Sequence, residues 1–254
     1  MRLIDTHCHL NDSEAFPDPG AAIDRARSAG VEKLIVIGID MPSSERAVDI
    51  AHQFDDVYAT VGWHPSYAAN FDPSTLAQIE TWLTDPKVVA LGEVGLDYHW
   101  DHATREQQHE CLIAQLDLAE RISCGVVFHC RDAYDDLLDL LESRGDGRYL
   151  LHCFLGGKRH AERVISLGGY IGVDGPITYK KNDQLRTLIA SLPSDRILIE
   201  TDSPYLTPEP HRGHPNEPAY VAHVNDELAK ALGVSPESCA DLTTSNAERF
   251  FQFP

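Results

Sequence analysis

Short runs rich in β-branched and aliphatic residues alternate along the chain with longer stretches in which apolar positions recur at helical spacing. The runs are RLIDTH (2–7), KLIVIGI (33–39), VYATVG (57–62), VVALGEVG (88–95), VVFHC (126–130), YLLHC (149–153), YIGV (170–173) and RILIETD (196–202). The best of them are almost continuously hydrophobic, the pattern of parallel strands covered on both faces. The stretches between them predict helices over 21–29, 43–54, 76–83, 104–121, 133–141, 160–167 and 183–189, and two more, over 218–232 and 237–251, follow the last strand. The longest begins Thr104-Arg105-Glu106-Gln107, a capping-box sequence. Eight strands, each followed by a helix, predict an α/β fold of the (β/α)8 TIM-barrel type. No linker, repeat or low-complexity block interrupts the pattern, so residues 1–254 read as one domain. An open doubly wound sheet is the second reading, but no G-x-G-x-x-G follows a strand.

In such a barrel the chemistry sits at the C-terminal ends of the strands. His7 and His9 end the first run, Glu93 lies late in the fourth, and His129 ends the fifth. His152 lies at the end of the sixth and Asp202 ends the eighth. Each has an ordinary explanation when taken singly: a hydrogen-bonded histidine, a carboxylate paired with an arginine, a turn cap. Together, four histidines and two carboxylates meet at one mouth, where buried polar groups need partners or a metal. The i, i+2 spacing puts His7 and His9 on one strand face, about 7 Å apart along the chain. They would share one divalent ion with Asp202. His129 and His152 would serve a second, and Glu93 would bridge. This mixture of imidazole and carboxylate suits Zn²⁺, Mn²⁺ or a similar ion better than Ca²⁺, with Mg²⁺ a further candidate, and two such ions would activate water and stabilise phosphoryl oxygens.

Composition modifies this picture in two ways. Six cysteines occur without a C-x-x-C pair, and no apolar run is long enough to span a bilayer. Nor do the first residues carry the apolar core of an export signal. Reduced thiols in a cytoplasmic protein are therefore expected. Cys8, Cys130 and Cys153 each follow a histidine, and strand alternation predicts that they point outward, under the helices. The formal charge of −19, from 21 Lys and Arg against 40 Asp and Glu, opposes nonspecific wrapping of nucleic acid.

The motifs DTHCHL, VGWHP, ALGEVGLDYHW, FHCRDA, HCF-GG, ETDSPYL and RGHPNEP run in order from residue 5 to residue 218. In that order the chain resembles the TatD family of metal-dependent deoxyribonucleases. The resemblance implies a TIM-barrel hydrolase that cleaves DNA phosphodiesters with two metal ions. It implies His7, His9, Glu93, His129, His152 and Asp202 as metal ligands, with Asp202 also the general base for the attacking water. His64 matches a position near the scissile phosphate, so Asp202, Glu93 and His64 are the expected catalytic set. Two departures touch substrate contacts: Leu155 stands where the family often has serine, and His214-Pro215 follow Arg212-Gly213 where it often has a basic pair.

Further candidates surround this set. Arg131 is either a phosphate contact or the buried partner of a carboxylate such as Glu200, and Arg212 lies in a Pro/Gly-rich loop suited to phosphate contact. With His64 they form the expected substrate-binding group. Asn216 either contacts substrate or braces that loop, and Asp97 and Tyr98 either orient Glu93 or shape a turn. Trp63 is able to stack on a base, although an aromatic beside an inward histidine more often packs. Seven basic residues, Arg105, Arg131, Lys158, Arg159, Lys180, Lys181 and Arg212, fall near the predicted mouth. They answer the charge objection for an exonuclease that grips single-stranded or frayed DNA ends, with no membrane and no obligate protein partner. The alternative is hydrolysis of another ester or amide, such as an aminoacyl-tRNA or a small phosphoester. A non-enzymatic role with structural metals is disfavoured, because six ligands shared by two ions leave open positions.

Overall fold

The apolar runs become eight parallel strands: β1 (Leu3–Cys8), β2 (Val31–Ile37), β3 (Val57–Val61), β4 (Val88–Asp97), β5 (Val126–Arg131), β6 (Tyr149–Leu151), β7 (Tyr170–Val173) and β8 (Ile197–Ile199). The computed structural model describes all residues, Met1–Pro254. Neighbours in sequence are neighbours in the sheet, in the order β1 to β8. The ring is closed by the segment after β8: the Asp202 N–H donates to the His7 carbonyl (2.9 Å), and the His9 N–H donates to the Ser203 carbonyl (2.8 Å). Closure excludes the open doubly wound sheet.

Helices α1 (Pro19–Ser28), α2 (Met41–Gln53), α3 (Leu76–Trp82), α4 (Arg105–Ile122), α5 (Tyr134–Arg144), α6 (Lys158–Ser166) and α7 (Asp183–Ala190) follow strands one to seven. Helices α8 (Val221–Leu232) and α9 (Pro236–Phe251) follow β8. The capping box forms as its sequence predicts. Thr104 Oγ1 accepts from the Gln107 N–H and Gln107 Oε1 accepts from the Thr104 N–H, which satisfies two end groups of α4.

Two apolar layers hold the barrel. The larger lies between strands and helices and includes Leu3, Leu34, Leu91, Phe128 and Leu151. The smaller joins Ile4, Ile35, Tyr58, Ala90, Val127, Leu150, Tyr170 and Leu198, one from each strand, with Phe250 and Phe251 of α9. The α9 aromatics close the N-terminal end of the barrel, so its opposite end is left for polar side chains.

Strand alternation alone would not aim those side chains correctly. On β1 the pairing with β2 advances three residues, Asp5 to Cys8, against two on the partner, Leu34 to Val36. On β4 it advances three, Leu91 to Val94, against two on β5, Val126 to Phe128. Each slip is a one-residue bulge, which reverses the phase of the strand beyond it. Ile4 and Ala90 belong to the inner layer. Residues three further on, His7 and Glu93, therefore also face inward.

Candidate metal centre

The strand ends gather the predicted residues into one buried cluster. His7 Nε2 lies 3.4 Å from Glu93 Oε2 and 3.6 Å from Asp202 Oδ1, while His9 Nε2 lies 3.3 Å from the same Asp202 oxygen. Glu93 is the hub: its Oε1 is 2.8 Å from His152 Nε2, 2.9 Å from His129 Nδ1 and 3.7 Å from His64 Nε2. Three groups have ligand atoms close enough to share an ion: His7, His9 and Asp202; His7, Glu93 and His152; and His64, Glu93 and His129. His7, His9 and Asp202 form one of the expected sets, but no group joins His129 with His152. His152 stacks on His7, with ring centroids 3.9 Å apart, whereas it lies 5.7 Å from His129.

These residues fit a bound cation. His7 is wholly buried, yet neither ring nitrogen has a hydrogen-bond partner, a costly state unless something else takes up a lone pair. The donors are imidazole nitrogens and carboxylate oxygens, a set that suits Zn²⁺, Mn²⁺ or a similar ion better than Ca²⁺.

An outer carboxylate orients one of the imidazoles, and a second stands beside another. Asp97 Oδ2 accepts from His129 Nε2 at 2.8 Å, leaving Nδ1 directed at Glu93. Glu200 Oε1 stands 3.5 Å from His152 Nδ1 and accepts from the Cys153 N–H at 2.6 Å. A partner such as Asp97 fixes the tautomer of a ligating histidine, whereas His152 Nδ1 has no hydrogen bond. Close approach requires two glycines. A Cβ on Gly95 would collide with the His129 carbonyl oxygen, and one on Gly172 would fall 2.6 Å from the Glu200 carboxylate.

The electrostatics follow from this crowding. Burial opposes ionisation of Glu93, but the charges of His152 and His7 and the hydrogen bond from His129 outweigh it and hold the carboxyl well below its usual range. Burial, then the neighbouring His129, pushes His64 down to about 3, so its ring is neutral. His64 Nδ1 accepts from the Ser66 N–H at 3.1 Å, which leaves Nε2 as a proton donor facing the cluster.

Helix α4 braces this side of the mouth through two buried glutamines one heptad apart. Gln108 bonds the N–H and carbonyl of Asp97, and Gln115 bonds the N–H and carbonyl of Trp63. Their signal in the sequence is a pair of polar residues on the apolar face of a predicted helix.

Several sequence expectations change. Arg131 is not the buried partner of Glu200; it is exposed and its guanidinium lies 5.7 Å from the Trp100 ring centroid. Asp97 orients His129 instead of Glu93, and it also caps the following turn by accepting from the His99 and Trp100 N–H groups. Asn216 is a brace: its Nδ2 donates to the Thr201 and Tyr205 carbonyls. Trp63 packs in the outer core and donates Nε1–H to Thr75 Oγ1. Cys8 and Cys130 lie in that core as expected. Cys153 does not, because its positive φ of 44° turns the chain just beyond His152. All six cysteines are unpaired.

Six of the 21 basic side chains make neither an ion pair nor a hydrogen bond: Lys33, Arg105, Arg131, Lys180, Lys181 and Arg212. Of the last five, Arg131 ends β5 and the others lie in segments following β4, β7 and β8, on the metal side. Arg212 rests on the Tyr179 ring at 3.8 Å. Lys158 and Arg159 are instead near Glu162 (3.8 Å) and Asp135 (3.9 Å).

The family described as TatD related DNase matches residues 4–252. The chain is 38% identical over 252 residues to an uncharacterized metal-dependent hydrolase, YabD, of Bacillus subtilis, covering 98% of this chain and 99% of that one. It is 33% identical to the 3'-5' ssDNA/RNA exonuclease TatD of Klebsiella pneumoniae, covering 98% and 97%. The crystal structure of the TatD homolog YJJV from Escherichia coli superposes with a TM-score of 0.94 at 34% identity, covering 100% of this chain and 99% of that one.

Proposed function

The chain belongs to the TatD related DNase family of metal-dependent hydrolases, and from that premise we propose that it is an exonuclease acting on single-stranded or frayed DNA ends with two divalent ions. Relatives at this level of identity are named 3'-5' ssDNA/RNA exonucleases. The observation that carries the reading is the pairing of a buried Glu93-centred ligand cluster with five uncommitted cations around its mouth. A site for a neutral ester has no need of those cations; a phosphodiester strand does.

In this reading His7, His9 and Asp202 would hold one ion, His129 and His152 would hold the other, and Glu93 would serve both. Bound Mg²⁺, Mn²⁺ or Zn²⁺ would supply Lewis-acid stabilisation of the phosphoryl oxygens and a more acidic water. Asp202 takes the proton of the attacking water. Its carboxylate is kept ionised because burial, which opposes ionisation, is outweighed by the His9 hydrogen bond and the charges of His152 and His7. Its backbone is held at a positive φ of 55° by the hydrogen bond to the His7 carbonyl, the kind of constrained geometry found at functional sites. His64 donates Nε2–H to a phosphoryl oxygen, and Arg131 and Arg212 meet the flanking phosphates. No helix is long and apolar enough to cross a membrane, and the unpaired thiols suit a reducing compartment such as the cytoplasm.

The deciding experiment is a time course on end-labelled single- and double-stranded DNA with Mg²⁺, Mn²⁺ or Zn²⁺ and a chelated control, beside aminoacyl-ester and small phosphoester substrates. Metal-dependent shortening from one end is expected. Turnover of the esters alone would overturn the reading.

A further inference from the structure

Seven large hydrophobic side chains are exposed on the whole molecule, and Trp100 is one of them, with half its surface in solvent. It stands in the turn after β4, and that turn is built onto the metal centre. Asp97 holds His129 through one carboxylate oxygen and receives the His99 and Trp100 N–H groups on the other. Gln108 of α4 clamps Asp97 from behind through two backbone bonds. The indole is thus displayed on a braced turn whose anchoring side chain, Asp97, also holds a candidate ligand.

Its surroundings are those of a nucleotide site. The indole is met edge-on by the His99 ring, with centroids 4.7 Å apart. The Arg131 guanidinium lies 5.7 Å from its centroid and has no carboxylate or hydrogen-bond partner. The His102 ring lies 6.0 Å away, nearly parallel at 27°. An indole with a guanidinium over its ring that no carboxylate neutralises complements a base and the phosphate next to it. A base can reach such a face only when unstacked from its neighbours, which selects single strands.

We propose that Trp100 is a stacking platform for one base of a single-stranded substrate, with Arg131 on the adjacent phosphate. The proposal rests on the nuclease reading above and adds to it the subsite that distinguishes single strands from duplex. Every base has an apolar face, so this subsite holds position without reading sequence. A duplex must fray before it can engage.

The test uses the full-length protein with Mn²⁺ and single-stranded oligothymidylates carrying one abasic site, moved nucleotide by nucleotide from the cleaved end. Trp100→Ala is expected to raise KM about tenfold, the scale of one base deprived of its aromatic platform, with kcat held and with Trp100→Phe restoring most of the loss. In the unsubstituted protein one abasic position reproduces that rise in KM; in Trp100→Ala the same position has no further effect. An unchanged KM in Trp100→Ala, or equal abasic penalties in both proteins, overturns the platform. Binding of a phosphorothioate oligothymidylate, read by quenching of tryptophan fluorescence, separates the two readings. Quenching that disappears in Trp100→Phe but accompanies no cleavage retains the platform and rejects the reaction. Cleavage with no effect of Trp100 retains the reaction and rejects the platform, and neither quenching nor cleavage rejects both.

Discussion

Asp97 Oδ2 and His129 Nε2 meet at 2.8 Å, while the other nitrogen of the same ring lies 2.9 Å from Glu93. The imidazole is therefore held between an outer carboxylate that fixes its proton and an inner one at the hub of the cluster. Removing the outer charge leaves the ring in place but weakens its basicity. Asp97→Asn is expected to lower divalent-metal affinity by about 10- to 100-fold, measured by calorimetric titration of chelator-stripped protein with Mn²⁺. Unchanged affinity would show that Asp97 serves only the turn.

Asp202→Asn tests the proton acceptor. An amide keeps the shape and one oxygen near His9 but cannot take a proton from water. The expected result is a fall in kcat of about 100-fold or more, with the His7–His9 side still binding metal in the same titration. Full nuclease activity in a variant that binds both ions would remove the base role.

His64 gives a pH prediction. Burial holds the ring neutral down to about pH 3, so its Nε2 donor is present across the working range. His64→Ala is expected to lower kcat/KM by about 100-fold, the scale of one missing donor to a developing charge. The pH profile between about 5 and 8, the range in which an ordinary histidine titrates, should keep its shape in His64→Gln. A limb near the ordinary histidine value that disappears in His64→Gln would mean that the ring titrates and acts as an acid.

Asp5 predicts how stability responds to pH. Burial pushes its carboxyl up to about 8, against the opposing hydrogen bonds from the Thr201 hydroxyl and N–H. The folded state thus keeps a proton that the unfolded chain releases in the ordinary carboxylate range. Stability contributed by this group is present at low pH and falls as pH rises toward about 8. Asp5→Asn, which mimics the protonated acid, should flatten that slope in denaturant melts of the metal-stripped protein. Identical slopes in both proteins would contradict the assignment.

Lys180, Lys181 and Arg212 make no ion pairs or side-chain hydrogen bonds, so their value lies in what they meet from outside. Replacing all three with alanine should weaken strand binding at low salt. It should also make the dependence of log kcat/KM on log salt shallower by about 0.7 for each phosphate left without its cation. A slope equal to that of the unsubstituted protein would place the strand elsewhere.

The strands, their order and the end of the barrel that carries polar residues were legible in the chain, because each follows from local rules. Continuous apolar runs mark two-sided burial, the capping box at Thr104 marks a helix start, and histidines or carboxylates at several strand ends point to one mouth. Tertiary structure alone decided the rest. The bulges at Asp5–Cys8 and Leu91–Val94 turn His7 and Glu93 inward, and a register slip depends on the partner strand, which no local pattern encodes. The same limit governs Asp97 on His129, Glu200 on His152 and the exposure of Trp100 where Trp63 is covered. Each is a pairing between segments brought together only when the barrel closes, so the chemical identities belong to the sequence and the partnerships to the fold.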